Sequence, residues 1–475
     1  MPRPFLLNGK WTESAAQLML QSPWPGVFCE PVFEASAEQA REAARAALQA
    51  FGAWRLTPRF KRAEALRRIA QKIGAQSEAL AALIRDECGK PMNLSRAEVR
   101  RAENVFALAA EECQRTSEPI DPEREAHGAG LTARVEYFPA GPVLGITPFN
   151  FPLNLAAHKI APALAAGCPI VLKPPPQAPG PTLLLGKIAL EAGLHPAAFQ
   201  VLPGGIETGK ALSACPEFAA LSFTGSARAG WELKRNADPR QKIWLELGGN
   251  AALLVDHDAD LDAAAAAVAT GGYAYSGQVC ISTQRVFVHR AVADEFESKL
   301  AAKILCDVKS SADPADEHAL VGPLIDSKAA NRIEAWIKSA LDSGARALIR
   351  GARQNANLIT PWLLENVPPD QPLSCEEVFG PVVVLERIDD FDSGLARINR
   401  SQYGLQASVF TRSLAHAEQA FRELEQGAVL INLPTSFRLD SAPYGGVKGS
   451  GFGREGVRDA MRAFSEPRLM LVKGK

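Results

Sequence analysis

No long run of one charge exists in these 475 residues; 52 basic and 53 acidic side chains leave a formal net charge of −1. That balance argues against a basic stripe for nucleic acid, and no polybasic patch offers itself to a membrane. Cysteine is scarce, with eight residues at positions 29, 88, 113, 168, 215, 280, 306 and 375. None stands in C-x-x-C and no histidine accompanies them at zinc spacing, so neither a disulfide framework nor a metal site is expected. Long hydrophobic runs are missing too. The longest, 160–172, is broken by Pro162, Gly167 and Pro169 and is too short to span a bilayer. The opening MPRPFLLNGKW has no apolar h-region. A reducing, cytoplasmic setting is the expectation, with most cysteines serving as small buried hydrophobes.

What is present is ample apolar material, 47% of residues, enough for more than one core. At roughly 100–200 residues per domain the length suggests two to four domains. Helical patterns come first. Ser36 with Gln39 reads as a capping box, and Ala40, Ala43, Ala44, Ala47, Leu48 and Phe51 repeat at helical spacing. Further helices are predicted over 59–87 and 94–115. The polar stretch 116–132, with Pro119, Pro122, Gly128 and Gly130, reads as a loop or an excursion from the main body.

Beyond residue 134 short apolar strands alternate with helices. Strands are predicted at 143–147, 170–173, 199–202, 220–223 and 243–247, with helices at 153–166, 181–192, 207–214 and 226–236 between and after them. A second series opens with a strand at 251–255 and an alanine-rich helix from about 260. It continues with strands at 285–289, 347–350, 381–387, 407–411 and 428–432. Such alternation predicts an α/β fold with parallel sheets covered on both faces. A nucleotide can bind at the carboxyl ends of such strands.

Several residues could carry chemistry there. Cys280 lies in SGQVCIS at 276–282, where Gly277 permits a tight backbone approach; the plain alternative is a core thiol. Glu246 ends a predicted strand in ELGGN at 246–250, either as a presented carboxylate or as a solvated strand-end acid. Asn150, inside TPFNFPL at 147–153, could donate to an oxyanion or cap a helix. Lys173 closes the strand at 170–173, within reach of ribose hydroxyls or phosphate. FTGS at 223–226 joins a strand to a helix, so Gly225 and Ser226 make a natural anion site. No strand end within 143–248 carries G-x-G-x-x-G, so this is not the usual dinucleotide turn.

Taken with KP at 173–174, EEVFGP at 376–381, Asn432 and YGGVKGSGFGRE at 444–455, these segments resemble the aldehyde dehydrogenase superfamily in order and spacing over nearly the whole chain. The resemblance implies two Rossmann-like α/β domains plus a small β oligomerisation hairpin. The cofactor-binding domain would comprise 1–120 and 140–248, the catalytic domain 249–463, and the oligomerisation element 121–139 with 464–475. It also implies a homodimer or homotetramer, which turns the excursion at 116–132 from a surface loop into the hairpin.

The implied roles follow residue by residue. Cys280 is the nucleophile, as thiolate. Asn150 and the Cys280 N–H hold the oxyanion. Glu246 is the general base that hydrolyses the thioester, and it marks the non-acylating branch that releases a free acid. Lys159 and Glu455 relay the proton outward or form a structural ion pair. Thr147, Pro148, Lys173, Gly225, Ser226, Glu377 and Phe379 line the cofactor cleft. Relatives that prefer NAD often carry a glutamate at the position of Pro176; its absence here removes a repulsion against a 2′-phosphate. NAD is the expected cofactor, with NADP admitted.

The tail GREG at 453–456 followed by SEPRL at 465–469 looks most like the lactaldehyde and semialdehyde branch. Tunnel positions fall on Phe151, Asn154, His158 and Tyr444. Arg438 either grips a carboxylate, phosphate or sulfonate or is a solvated loop arginine. The substrate is expected to be a small polar aldehyde or semialdehyde. The competing readings are a cysteine-dependent esterase without redox chemistry and a non-catalytic structural relative.

Overall fold

The computed structural model describes residues 1–115 and 118–473. Residues 116 and 117 of the predicted excursion, and 474 and 475 of the expected oligomerisation element, lie outside them.

Two parallel-rich sheets carry the molecule, as the alternation predicts. In the first, Phe199–Val201, Ile170–Lys173, Val143–Ile146, Ala220–Thr224 and Lys242–Glu246 run parallel side by side. Their side chains form apolar runs such as Ile170, Val171 and Leu172, each fully buried, because helices cover both faces. The antiparallel hairpin Phe5–Leu7 and Lys10–Thr12 closes one edge, and Gly451–Phe452 adds antiparallel to Lys242–Glu246 at the other. The second sheet runs Arg346–Ile349, Trp362–Glu365, Val382–Ile388, Arg285–His289, Ala252–Val255, Gln406–Phe410 and Ala428–Ile431, parallel except for the first pair. The third is small: Leu131–Pro139 lies between Glu118–Ile120 and the C-terminal strand Ser465–Lys473.

Local chemistry explains several helix boundaries. Ser36 Oγ accepts from Gln39 N–H at 3.2 Å while Gln39 Oε1 accepts from Ser36 N–H at 2.9 Å, the reciprocal box that starts Ala37–Trp54. Helix Asn154–Ala166 has no side-chain cap of its own; Glu98 Oε1, from helix Met92–Glu112, accepts the N–H groups of Leu153 and Asn154. Asn150 is therefore not the helix cap. The single helix predicted over 59–87 is two, Arg59–Ala75 and Ser77–Cys88, because Gln76 leaves helical geometry between them. The loop predicted from 116 begins in its described part with a strand and two short 3-10 turns before Leu131–Pro139.

Candidate active site

The carboxyl ends of the parallel strands in the first sheet deliver the predicted residues to one region. Thr147, Pro148 and Asn150 follow Val143–Ile146, Lys173 ends its strand, Gly225 and Ser226 follow Ala220–Thr224, and Glu246 ends Lys242–Glu246. The thiol enters from the other side, on the turn after helix Leu261–Tyr273.

That turn is strained and strapped. Tyr275, Ser276 and Gly277 take φ of 51°, 56° and 68° in succession, a left-handed run that two non-glycine residues pay for in backbone energy. Tyr275 Oη donates to Cys88 O at 2.9 Å and Ser276 Oγ to Gly322 O at 2.5 Å. Gln278 Oε1 accepts the Ile325 N–H at 2.9 Å. Gly277 is pressed against the chain: a Cβ there would stand 2.1 Å from Gly380 O. Cys280 emerges from this scaffold half-buried rather than as a core thiol. Its Sγ lies 3.3 Å from Tyr444 Oη. Burial pushes its thiol up to about 11, against the counter-effect of that hydroxyl.

Asn150 is 3% exposed and donates one Nδ2–H to Gln278 O at 3.1 Å, which ties it to the cysteine turn and leaves its second amide hydrogen over. Among the described residues nothing accepts the Cys280 N–H either. The second Asn150 amide hydrogen and the Cys280 N–H are thus both uncommitted, one tied to the cysteine turn and the other on it.

Glu246 is buried, not solvated, and neither carboxylate oxygen has a partner among the described residues. Burial first, then the charge of Glu455, pushes its carboxyl well above the usual range. Gly445 approaches it closely: a Cβ there would stand 2.6 Å from Glu246 Oε1. Glu455 differs. Lys159 Nζ donates to Glu455 Oε1 at 2.6 Å and to Ser222 Oγ at 2.9 Å. Burial raises the Glu455 carboxyl, but Lys159 and Arg438 outweigh it and hold it below its ordinary value.

Arg438 is no solvated loop arginine. Its side chain is 6% exposed, with the guanidinium carbon 3.7 Å from the centroid of the Tyr444 ring. Glu455 Oε2 is 3.8 Å from its nearest nitrogen, too long for a hydrogen bond. Its Nε and Nη2 have no partner among the described residues. His158 is 1% exposed, and burial with the nearby Arg438 charge lowers its pKa to about 4. The neutral ring therefore bonds Asp440 through Nε2, and Nδ1 is left bare, as is Asn154 Oδ1. The Phe151 ring lies 3.7 Å below Lys90 Nζ, which pairs with buried Glu98.

The residues expected to line the cofactor cleft leave uncommitted polar groups of the kind a dinucleotide requires. Lys173 Nζ is buried with only a 3.3 Å contact to Pro174 O, and burial lowers it to about 8. The Thr147 hydroxyl is buried without a partner. Ser226 caps helix Ala227–Asn236 through Ala229 N–H, so that helix start opens beside Gly225. Glu377 Oε1 accepts the Gly249 N–H at 3.1 Å, and burial pushes its carboxyl up to about 7. Phe379, at φ 50°, packs edge-on against Phe149. Pro176 is half-buried beyond Lys173.

Sequence reasoning passed over Glu34, whose Oε1 accepts the Gly205 N–H at 2.8 Å and whose charge acts on Lys173. It also passed over Lys90, Glu98, Arg101 and Asp440. Glu98, Arg101 and Asp440 act on partners distant in the chain and Lys90 pairs with Glu98 eight residues on, so no short local motif announces them.

The profile of the aldehyde dehydrogenase family matches residues 11–470. A 3-sulfolactaldehyde dehydrogenase of Priestia aryabhattai is 37% identical over 472 residues, covering 98% of this chain and 97% of that one. The crystal structure of aldehyde dehydrogenase 21 from Physcomitrella patens, in complex with the reaction product succinate, superposes with a TM-score of 0.94 at 34% identity, over 100% of this chain and 99% of that one. The NADP-dependent glyceraldehyde-3-phosphate dehydrogenase of Bacillus halodurans C-125, complexed with NADP, reaches 0.95 at 33% identity with the same coverage. The chain belongs to the aldehyde dehydrogenase family and is an NAD(P)-dependent aldehyde dehydrogenase.

Proposed function

We propose that this enzyme oxidises a small aldehyde bearing an anionic group to the free carboxylic acid, through Cys280 and water. The observation that carries the substrate class is the buried Arg438 guanidinium with two unpartnered nitrogens beside the nucleophile. A buried cation without a hydrogen-bonded counter-charge is costly, and a substrate carboxylate, sulfonate or phosphate would offset that cost. The three relatives are in keeping with this, since their named substrates or product carry a sulfonate, a carboxylate or a phosphate. Phe151, Asn154 and His158 line the remaining wall, with bare acceptors at Asn154 Oδ1 and His158 Nδ1 for a hydroxyl on the substrate.

Thr147, Pro148, Lys173, Gly225, Ser226, Glu377 and Phe379 would hold the dinucleotide, and Pro176 presents no charge against a 2′-phosphate. When bound, the nicotinamide supplies the hydride acceptor. Cys280 Sγ adds to the carbonyl carbon, and the resulting oxyanion accepts from the Asn150 amide and the Cys280 N–H. After oxidation the carbon is a thioester. Glu246 in its ionised form takes a proton from the attacking water, and burial makes it a strong base. Glu455 and Lys159 carry the proton onward. The first sheet serves the cofactor, the second the chemistry. The third builds a homo-oligomer through its outer strand, where Leu469, Met470, Leu471 and Val472 are exposed.

The test is a panel of short aldehydes with carboxylate, sulfonate or phosphate ends, each beside an uncharged analogue of equal length. NAD and NADP are run in parallel, with the product identified by NMR in the presence and absence of coenzyme A. The reading expects reduced cofactor at 340 nm, a free acid, and preference for the anionic member of each pair. Equal turnover of the neutral analogues would remove the role of Arg438. An acyl-CoA product would remove that of Glu246. Ester hydrolysis with no signal at 340 nm would restore the esterase reading.

A further inference from the structure

Tyr444 sits where an aromatic could merely fill the tunnel, but its hydroxyl does not point away from the chemistry. Oη is 3.3 Å from Cys280 Sγ. Its place is enforced from both ends. The backbone is bonded in both directions to Glu455, Tyr444 N–H to Glu455 O at 2.8 Å and Glu455 N–H to Tyr444 O at 2.6 Å. The ring is covered by the Arg438 guanidinium at 3.7 Å. A phenylalanine would satisfy the packing and the backbone pair equally well, so those contacts do not account for the hydroxyl.

We propose that Tyr444 is a catalytic hydrogen-bond donor to the Cys280 sulfur, stabilising it as thiolate both when it attacks the aldehyde and when it is expelled from the thioester. The proposal rests on Cys280 being the nucleophile.

The direction of the bond follows from the chemistry. With a protonated thiol either atom can donate. A thiolate only accepts, so the hydroxyl must donate. Tyr444 is itself buried, and burial first, then the neighbouring cysteine, holds its phenol well above its ordinary value. It therefore keeps its proton and is not the base. The thiol proton is lost to solvent before the attack; the S–C bond then forms, and the carbonyl π pair becomes the oxyanion. In hydrolysis the water gives a proton to ionised Glu246 as its oxygen bonds the acyl carbon, the C–S bond breaks, and the electron pair returns to sulfur. Tyr444 keeps its O–H throughout, and sulfur carries the charge at both ends of the cycle. The Arg438 cation over the ring face draws electron density from the phenol and makes its hydroxyl a better donor.

The test compares wild type with Tyr444→Phe, which keeps the ring. Alkylation of Cys280 by iodoacetamide is followed across neutral to alkaline pH on the peptide that carries it, because Cys306 is exposed and will also react. A hydrogen bond to a charged acceptor is strong enough that the variant's alkylation profile should move to the alkaline side by about one pH unit, an about tenfold loss of thiolate at neutral pH. Its kcat should fall about tenfold, with a smaller change in KM. A fluorinated tyrosine at position 444 keeps the shape and strengthens the donor, and it should move the profile to the acid side. Profiles that coincide for wild type, Tyr444→Phe and the fluorinated protein would overturn the proposal, with Tyr444 then a tunnel wall only. Cys280→Ser keeps the two claims apart. Retained turnover there removes the nucleophile itself, whereas a dead Cys280→Ser with coincident profiles removes only the role of Tyr444.

Discussion

His158 and Asp440, far apart in the chain, share a hydrogen bond of 2.9 Å in the wall of the site, and Arg101 grips the same carboxylate at 2.6 Å. Burial raises the Asp440 carboxyl, but His158 and Arg101 outweigh it and hold it well below its usual value. His158 stays neutral down to about pH 4, against 6.5 for an ordinary histidine. The unfolded chain takes up a proton in that window and the folded chain does not, so stability falls as pH drops from 6.5 towards 4. The loss from this residue is on the order of 3 kcal/mol. Denaturant unfolding across that window should show it, and His158→Gln should flatten the acid limb.

Glu246→Gln keeps the shape of the side chain and removes the proposed base. One burst of reduced cofactor per site should survive, with steady-state turnover lower by about 10²–10⁴-fold. Stopped-flow absorbance at 340 nm separates the two phases. Unchanged steady-state turnover would count against the assignment.

Asn150→Ala removes the proposed oxyanion donor and the tie to Gln278 O. The expected result is a drop in kcat of about 10²–10³-fold with cofactor affinity retained. Fluorescence quenching by the dinucleotide reports the second quantity independently.

Arg438→Gln should separate substrates. Turnover of an aldehyde ending in a carboxylate or sulfonate should fall by about 10²-fold in kcat/KM, the effect of losing a charge-assisted pair. A neutral aldehyde of the same length should lose much less. Equal losses on both would point to a role in ionising Glu455 or Cys280 instead.

Gly277→Ala places a methyl group 2.1 Å from Gly380 O at a φ of 68°. Both the contact and the backbone angle oppose it, so a loss above about 1 kcal/mol is expected in thermal or denaturant unfolding. Activity should fall further than stability requires, because the displaced turn carries Cys280.

The parallel strands were legible in the sequence because each is a short apolar run between helices, as at Ile170–Lys173 and Arg285–His289. Cys280, Glu246 and Asn150, the proposed nucleophile, base and oxyanion donor, were singled out through their motifs. The environment of those residues was not. The strand-end glutamate reads equally as solvated until Gly445, two hundred residues later, is seen to cover it. Arg438 looks like a loop arginine until Tyr444 is placed under it. Lys90 and Glu98 neutralise each other in the interior, and that pairing is a property of packing. The break at Gln76 has no proline and only Gly74 nearby, too weak a signal to divide a strongly helical stretch.

The chain returns at Gly451–Phe452 to the first sheet, beside Glu246, and the stretch around that return carries both Tyr444 and Glu455. A polypeptide emerging from the ribosome thus makes its thiol long before it makes Arg438, Tyr444 and Glu455. No nascent chain that stops short of Glu455 holds the whole of the proposed site, and closing the last edge of the sheet is a contact between residues about two hundred positions apart, among the slowest kinds to form. Catalytic competence is therefore a late event in the life of the chain. The partly made protein carries Cys280 without the surroundings that would let it trap passing aldehydes.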